Sequence, residues 1–529
     1  MFDILIKSGQ IVDGSGQPAY TGDIGVTDGR ISVMGSLADA EAGQVIDATG
    51  LVVTPGFIDI HTHSDMSCIA DPRAESQIRQ GVTTEVIGQC GVSFAPCTDE
   101  SRKRTFAMLG FPDIGKWKSY AELLETMDQT HNATNIVGMV GHGALRSITM
   151  GANAPRPATD KEVSEMVKLM EKSLEEGAFG MTTGLEYHPG KMATHDELSA
   201  LCRAVSKVDG FYATHARNRD TRYFVGFGEA MDVARESGVR LQISHINPKY
   251  GRPEHAMRNT IQMVDWAREE GLDVTMDVMP TNWSHTAAVA TLPAWSYELS
   301  SSEFLDLIKT ADGRERLKVN PLPIWRLVVE EQWDKIRLLD VPGGSPDIGR
   351  TISDLAKEKK TTGWDVLFDL MLELGEAYSG LFLTGFGFPE EDIRLVMQHP
   401  MCSVISDTMA LSNDGSLKGK QLGLYGYNWA SRFISHYLRD EKVLNLEEGI
   451  RRLTSLPASI IGLSDRGSLR PGAKADITMF NLSKVKDNTT YENPTVYASG
   501  FEHVIVNGVA ALSQGERTND RAGKILRRN

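Results

Sequence analysis

The sequence predicts an α/β protein built around a (β/α)8 TIM-like barrel, on the basis of three observations. Eight apolar segments of strand length follow one another along the chain, and each ends in polar residues. Amphipathic segments such as KEVSEMVKLMEKSLEEG lie between several of them and stop at a glycine, as helices do. Strands that alternate with helices form a parallel sheet, and eight such units can close it into a barrel. The predicted strands are GFIDIHTH, TTEVIGQC, TNIVGMVGHG, AFGMTTGL, GFYATHAR, RLQISHIN, DVTMDVMP and SVISD.

The two ends of the chain have a different pattern, with short alternating strands and tight turns. DILIKSGQIVDG and DIGVTDGRISVMG each combine an alternating strand with an Asp-Gly pair, which favours a hairpin. GSLRPGAKADITMFNL and HVIVNGVAAL, near the other end, share this texture. We therefore expect residues 1–53 and 464–529 to form one small β-sandwich domain built from both termini, beside a barrel of residues 54–463.

Residues 282–363, between the last two predicted strands, lack this regular alternation. The segment contains four tryptophans and the loop VPGGSPDIG. We predict an insertion, and an insertion on the C-terminal face of a barrel often covers the active site. A peripheral helical decoration is the alternative, in which the tryptophans form a small core of their own.

Composition and charge exclude several classes of function. The 529 residues include 55 Lys and Arg against 70 Asp and Glu, a net charge of −15, which argues against a nucleic-acid partner. No apolar run approaches the roughly 18–20 residues that span a bilayer, so we expect no membrane partner. The opening residues lack the apolar core of a signal peptide, and five cysteines do not suggest a disulfide framework. We expect a cytoplasmic homo-oligomer that acts on a small molecule.

Residues of the types that bind metals or exchange protons end five of the predicted strands. His61 and His63 are two residues apart, so both side chains point to the same side of an extended strand. Imidazole and thiolate groups are good zinc ligands. The C-terminal ends of barrel strands are where barrel enzymes place their active sites, so the sequence predicts a metal site there. The six residues are His61, His63, Cys90, His215, His245 and Asp407.

GFIDIHTHSD resembles the signature of the amidohydrolase superfamily of metal-dependent hydrolases. GVTTEVIGQCGVSFAP, the THAR and SHIN strand ends and the run LTSLPASIIGLSDRGSLRPGAKADITMFNL resemble the D-aminoacylase (N-acyl-D-amino-acid deacylase) family, and the resemblance covers nearly the whole chain. It implies that Cys90 takes the place of a carboxylated lysine found in relatives, and that Asp407 is the catalytic residue. It also implies that one or two Zn²⁺ ions are bound by His61, His63, Cys90, His215 and His245.

The resemblance implies a zinc-dependent hydrolase of a linear amide C–N bond, similar to an N-acyl-amino-acid deacylase. Zinc lowers the pKa of bound water to about 7 and polarises a carbonyl, so hydroxide would be the nucleophile. Asp407 would accept the water proton as general base and pass it to the departing amine as general acid.

Four residues are candidate substrate contacts. Tyr187, in GLEYHPG, matches a family tyrosine near the substrate carboxylate. Arg217, two residues after His215, is either an anion clamp or a partner in a salt bridge at the rim. Where the family pattern has a carboxylate-binding lysine, this chain has Asn247, with Lys249 two residues further on, and an expected arginine is missing from SLKGKQLGLYGYNW. A neutral, cyclic or larger aromatic amide is therefore as consistent with the sequence as an N-acyl-D-amino acid.

Two alternatives remain open at this stage. A hydrolase of cyclic amides or imides, similar to the hydantoinases, would use a carboxylated lysine where this chain has Cys90. A non-catalytic scaffold on the same fold would not need the complete set of ligand residues. Four further histidines have no partner pattern, and one histidine and one arginine in VGHGALR resemble a family segment; we expect all six to be structural, in the core or at the surface. These are His142, Arg146, His188, His195, His285 and His399.

Overall fold

The computed structural model describes residues 1–108, 111, 113–151, 154, 156–319 and 324–528. Its centre is a barrel of eight parallel strands, each hydrogen-bonded to the next in chain order. A parallel bridge between Thr62 and Thr408 joins the end of the eighth strand to the first and closes the wall. The predicted (β/α)8 barrel is therefore confirmed. The strands are Phe57–Asp59, Val82–Ile87, Asn135–Gly138 continued by Val140–Gly141, Gly180–Gly184, Phe211–His215, Arg240–Ile243, Val274–Val278 and Cys402–Val404.

The third barrel strand changes its partner at Met139. Val140–Gly141 pairs with the fourth strand, whereas Asn135–Gly138 pairs with Ile525–Leu526 from the C-terminal tail. The tail therefore completes the wall where the third and fourth strands separate.

Helices surround the barrel. Capping residues in the sequence fix where a helix begins, and its apolar face packs against the barrel. The helix Asp160–Glu175 starts at Thr159, whose side chain accepts from the Glu162 amide in a capping box, and it buries Met166 and Met170. No helix among the described residues combines the length and apolar composition needed to cross a membrane. The α-helices are Ser67–Ala70, Glu75–Ile78, Asp99–Met108, Tyr120–Thr130, His142–Met150, Asp160–Glu175, His195–Ser206, Tyr223–Ser237, Ala256–Glu269, Ser301–Ile308, Ala311–Lys318, Arg326–Val329, Ile352–Lys359, Gly363–Leu374, Glu390–Met397, Trp429–Arg432, Leu446–Leu453 and Ser455–Ile461, and Phe433–Asp440 is a π-helix.

The two ends of the chain meet in one nine-stranded sheet. The strand Val52–Pro55 joins them, because it pairs in parallel with Phe2–Ile11 and antiparallel with Ile477–Phe480. Apolar side chains from both ends pack into a core that is separate from the barrel core. The exact domain limits stay a prediction. The remaining strands of this sheet are Tyr20–Thr27, Arg30–Gly35, Ala42–Asp47, Phe501–Val506, Val509–Ser513 and Glu516–Arg517.

The segment between the seventh and eighth barrel strands has a sheet and a core of its own. Trp283–Ala287, Ile336–Asp340 and Phe382–Phe386 form an antiparallel sheet. Trp333 and Trp364 pack edge to face in its core, with ring centroids 5.4 Å apart. The elements that share this core continue past residue 363, where the sequence pattern placed the end of the insertion, because the helix that follows packs into the same core.

Candidate metal centre and active site

The six strand-end residues predicted from the sequence lie together at the C-terminal end of the barrel. The candidate ligand atoms fall into two groups, and the atoms within each group lie within 4.8 Å of one another. Cys90 belongs to both groups, so its thiolate is placed to bridge two ions. The first group is His61, His63, Cys90 and Asp407, and the second is Cys90, His215 and His245.

Short distances around Asp407 and Cys90 define the first group. The Oδ1 atom of Asp407 lies 3.3 Å from His61 Nε2 and 3.2 Å from His63 Nε2. The Cys90 Sγ atom lies 3.3 Å from the same His61 nitrogen. An imidazole, a thiol and a carboxylate therefore share one buried point.

The second group is arranged around the same sulfur atom. Cys90 Sγ lies 3.7 Å from His215 Nδ1 and 3.5 Å from His245 Nε2. The two histidine rings stand almost perpendicular, with centroids 4.6 Å apart. Different nitrogens of the two rings therefore face the sulfur.

Three of these residues adopt left-handed backbone conformations that non-glycine residues rarely use. The φ angles are 51° at Cys90, 34° at His245 and 52° at Asp407. Such strain is found where a structure must aim a side chain, and here each residue lies two or three residues beyond the end of its barrel strand. Gly91 allows the sharp turn after Cys90, since a Cβ atom there would lie 2.5 Å from the Gly184 nitrogen.

The electrostatics of the cluster favour an anionic thiolate and carboxylate. Burial raises the pKa of the Cys90 thiol, but His61, together with hydrogen bonds from His215 and His245, outweighs it and holds the pKa well below the usual value. Burial likewise raises the pKa of Asp407, and the surrounding histidines more than compensate, so its pKa is also well below the usual value. Both shifts favour the negatively charged form of the group.

The histidines respond to this negative charge in different ways. Burial lowers the pKa of His63, yet hydrogen bonds with Asp407 and Cys90 raise it to about 9 overall. At His245, burial and the neighbouring Arg219 lower the pKa to about 4, so that this imidazole is neutral and has a lone pair to donate.

The donor set fits a divalent metal. Two anionic donors and four imidazoles converge in buried space. In the first group, the positive charge beside the anionic donors is the proton that His63 holds because its pKa is raised. His61 directs Nε2 at the Cys90 sulfur and at Asp407. Thiolate, imidazole and carboxylate ligands together match zinc better than magnesium or calcium, which prefer oxygen ligands.

A buried carboxylate holds His215 from behind. Glu186 Oε2 lies 2.7 Å from His215 Nε2, which leaves Nδ1 directed at Cys90. The same oxygen pairs with Lys249 Nζ at 2.7 Å and with Arg219 Nε at 3.7 Å. Burial raises the pKa of Glu186, but Lys249 and His215 lower it well below the usual value, so the carboxylate is ionised.

His245 is held by two further residues. Arg219 donates from Nη1 to His245 Nδ1 at 2.8 Å, so Nε2 is the nitrogen that faces the sulfur. Asp277, at the end of the seventh strand, accepts from the His245 amide, and its Oδ2 lies 3.8 Å from His61 Nδ1. These supporting residues fix the orientation of the candidate ligands.

A cavity of about 500 Å³ opens above the cluster and reaches the insertion. Tyr187 lines it next to His215, with ring centroids 4.7 Å apart. Two histidines that the sequence analysis treated as structural also line it. His188 stacks on Tyr297, and His285 Nε2 lies 3.9 Å from Asp407 Oδ2. The aromatic wall beyond them includes Phe304, Trp325, Tyr378 and Phe382.

Three of the predicted substrate contacts are poorly placed to bind a ligand. One is already paired with a protein group, and the other two do not line the cavity. Lys249 lines the cavity, but it pairs with Glu186 and donates to the Ile324 carbonyl. Asn247 is buried and does not line the cavity. Arg217 pairs with Glu229 at 2.9 Å, outside the cavity lining.

The side chain of Arg217 points away from the site because the strand, whose side chains alternate in direction, ends before Arg217. The fifth strand stops at His215, and Asn218 has a φ of 56°. The side chain of Arg217 therefore reaches the carbonyls of Lys191 and Ala193 and the Glu229 carboxylate, which makes it a salt bridge at the rim.

Glu186, Arg219, Asp277 and His285 are site residues that the sequence analysis missed. Glu186 lies next to Tyr187 in the quoted GLEYHPG, and Arg219 follows Arg217 by two residues, so their positions were the available signal. His142 and Arg146, by contrast, do not line the cavity, and both contact the buried Glu197, at 2.7 Å and 2.6 Å.

Comparison with known proteins places these residues in a family context. The Amidohydrolase family model matches residues 44–316 and 412–511. The chain is similar to a D-aminoacylase of Alcaligenes xylosoxydans xylosoxydans, with 30% identity over 100% of this chain and 98% of that protein.

Two solved structures share the architecture over the full length of both chains. One is an N-acyl-D-glutamate deacylase from Bordetella bronchiseptica in complex with zinc and a phosphonate inhibitor that mimics the tetrahedral intermediate, with 27% identity and a TM-score of 0.80. The other is a D-aminoacylase described as having a binuclear metal centre, with 27% identity and a TM-score of 0.82, again over 100% of each chain.

Proposed function

The chain belongs to the amidohydrolase family, in the group of the D-aminoacylases, and from this membership we propose that it is a zinc-dependent hydrolase of a linear amide C–N bond in a small N-acyl compound. The observation that carries the proposal is the convergence of four histidines, Cys90 and Asp407 at the floor of one cavity. Neither a scaffold nor a binding protein requires a buried, ionised carboxylate beside a complete set of metal donors.

The metal would be held by the two groups that share Cys90, as one or two ions. Bound there, zinc supplies a Lewis acid that polarises the amide carbonyl and lowers the pKa of water. Glu186 and Arg219 hold the rings of His215 and His245 in the orientation that binding needs. The relatives with zinc and with a binuclear centre support this assignment.

Asp407 moves the proton. Its carboxylate is ionised, it lines the cavity, and its Oδ1 atom faces the two histidines of the first group. It accepts a proton from the attacking water and then delivers that proton to the amide nitrogen as the C–N bond breaks. The products are a carboxylic acid and an amine, and Asp407 returns to its ionised state.

The surroundings of Lys249 bear on the substrate. A lysine whose ammonium is already paired with Glu186 and bonded to the Ile324 carbonyl contributes no free charge to a carboxylate next to the scissile nitrogen. We therefore propose an N-acyl compound whose recognition does not depend on the carboxylate clamp at this position. The hydantoinase-like alternative is disfavoured because such enzymes would use a carboxylated lysine where this chain has Cys90.

Metal analysis combined with a substrate screen tests the proposal. Wild type should hold one or two zinc ions per chain, and Cys90→Ala should lose bound zinc together with activity. Cys202→Ala, the same substitution at a cysteine buried in the helix His195–Ser206, is the matched control and should keep both. The screen compares N-acyl-D-amino acids, N-acyl-L-amino acids and neutral aryl amides. A wild type without tightly bound zinc, or without turnover of any of these amides, contradicts the proposal.

A further inference from the structure

The cavity contains one cationic side chain whose charge is not compensated. Four guanidinium or ammonium groups line the described part of the cavity, on Arg102, Arg104, Arg219 and Lys249. Arg219 and Lys249 share Glu186, and Arg102 pairs with two aspartates, Asp99 at 2.8 Å and Asp113 at 3.1 Å. Arg104 forms no ion pair and no hydrogen bond with any described residue.

Arg104 lies at the open end of the cavity. It is exposed, whereas Cys90 and Asp407 at the other end are buried. Burial of the guanidinium nevertheless lowers the pKa of Arg104, with Tyr378 and Glu100 acting in the opposite direction. Arginine stays protonated throughout the physiological range, so the side chain presents a positive charge that forms no ion pair with a described carboxylate.

The surroundings of Arg104 suit an anion. Hydroxyl groups of Ser301 and Tyr378 line the cavity, as does the aromatic ring of Phe304, which stacks on Tyr378 with ring centroids 4.7 Å apart. The carboxylate of Glu376 also lines the cavity, yet it lies more than 4 Å from the guanidinium and forms no ion pair with it. A planar guanidinium beside hydroxyl donors is well matched to a carboxylate.

Apolar side chains contribute to the wall of the same cavity. Leu292, Phe304 and Phe382 line it together with the metal-ligand candidates and Arg104. A molecule that occupies the whole cavity therefore contacts the metal-ligand candidates, apolar side chains and Arg104.

We propose that Arg104 forms an anion subsite that binds a substrate carboxylate separated from the scissile amide by an apolar segment. The inference rests on the proposed hydrolysis of N-acyl compounds and specifies their class. Recognition of the carboxylate is moved from the vicinity of the scissile nitrogen, where Lys249 is neutralised by Glu186, to the open end of the cavity.

Matched substrates test the subsite. Two N-acyl derivatives of the same amine are compared, one with a six-carbon acyl chain that ends in a carboxylate and one with a six-carbon chain that ends in a methyl group. Wild type should prefer the carboxylate by about tenfold or more in kcat/KM, since hydrogen bonds to charged groups contribute about 1.5–3 kcal/mol. Arg104→Leu should lose about 10–100-fold on the carboxylate substrate and less than about twofold on the methyl substrate.

Two control variants separate charge from structure. Lys103 precedes Arg104 in the same helix, is exposed and does not line the cavity. Lys103→Leu therefore removes a positive charge nearby and should leave the preference for the carboxylate substrate unchanged. Arg104→Lys should recover part of the preference. An equal loss of activity on both substrates in Arg104→Leu, or turnover of both substrates by wild type with equal kcat/KM, overturns the subsite.

Equilibrium binding keeps the subsite testable apart from catalysis. Both compounds are titrated into Asp407→Asn and into Asp407→Asn combined with Arg104→Leu. If the carboxylate compound binds more tightly than the methyl compound, and Arg104→Leu removes this difference, the subsite is supported. This holds even if wild type hydrolyses neither compound. Absence of hydrolysis then counts against the proposed function and not against the subsite. Equal binding by both proteins refutes the subsite, and turnover of the methyl substrate then leaves the proposed function intact.

Discussion

Two buried glutamate–histidine pairs of almost identical geometry serve different purposes in this molecule. Glu186 lies 2.7 Å from Nε2 of His215, and Glu197 lies 2.7 Å from Nε2 of His142. All four side chains are nearly or fully buried, and each carboxylate is also paired with a cationic side chain. Burial and short contacts alone do not distinguish the two pairs.

The two pairs differ in the surroundings of the second ring nitrogen, Nδ1, which does not contact the glutamate. His215 directs Nδ1 at the Cys90 sulfur on the floor of the cavity, 3.7 Å away. His142 has an Nδ1 atom without a hydrogen-bond partner, and it does not line the cavity. A buried charged network marks a functional site only when it aims a donor atom at a point where other donors converge and a ligand can enter.

The largest effect is expected from Asp407→Asn, at the point of convergence. Loss of the proton acceptor should lower kcat by about 10²–10⁴-fold, the range for general acid–base groups, while bound zinc is retained. Single-turnover kinetics and metal analysis on the same preparation check both statements. Activity close to wild type would mean that convergence does not identify the proton-transfer residue.

Arg146→Met should destabilise the protein without touching the chemistry. Arg146 Nη1 contacts both oxygens of Glu197 at 2.6 Å, so its removal leaves a buried charge unpaired. We expect a loss of about 3–5 kcal/mol in the free energy of unfolding, measured by denaturant titration, with kcat/KM per folded molecule unchanged. A catalytic defect in a protein of normal stability would contradict the structural role of this pair.

Glu186→Gln should weaken the metal site. The amide cannot hold the proton of His215 Nε2 as a carboxylate does, so zinc affinity should fall by about 10–100-fold. Glu197→Gln is the matched control: the same change beside His142 should lower stability and leave zinc affinity unchanged. Competition with a chelator measures the affinity of both variants, and equal losses in the two would erase the distinction.

The sequence predicts the barrel and the centre of the site because both depend on local patterns. Eight strand segments show their own apolar character, and His61 and His63 point together through simple strand alternation. The recognition of Cys90 rested on family resemblance as well as on its position. The extent of the insertion was missed because the helix Gly363–Leu374 has the same amphipathic pattern as a barrel helix and reveals its neighbours only in the folded chain.

The supporting residues could not be predicted because their contacts join separate loops. Glu186 reaches Lys249 across 63 residues of chain, and no spacing rule connects them. The prediction that Arg217 points to the same side as His215 assumed that the strand continues beyond His215, but the strand ends there. His285 lies in the insertion, whose position over the barrel follows from packing and not from periodicity.

The smallest expected effect is a difference in pH dependence caused by His142. Burial lowers the pKa of His142 more than Glu197 raises it, so the folded protein holds this imidazole neutral. In the unfolded chain a histidine takes up a proton near pH 6.5. The unfolded state therefore gains protons that the folded state refuses, and stability falls as the pH drops below about 6.5.

His142→Gln should remove this contribution and keep a hydrogen-bond donor for Glu197. Between pH 7 and pH 5 the unfolding free energy of zinc-loaded wild type should fall by up to about 1–2 kcal/mol more than that of the variant, since one proton corresponds to about 1.4 kcal/mol per pH unit. His195→Gln, at a partly exposed histidine beside Glu236, controls for the loss of a histidine as such and should follow wild type. A smaller fall for wild type than for His142→Gln would mean that His142 is already charged in the folded protein. The pair with Glu197 would then be an ion pair, and its resemblance to the pair at the metal site would be limited to geometry.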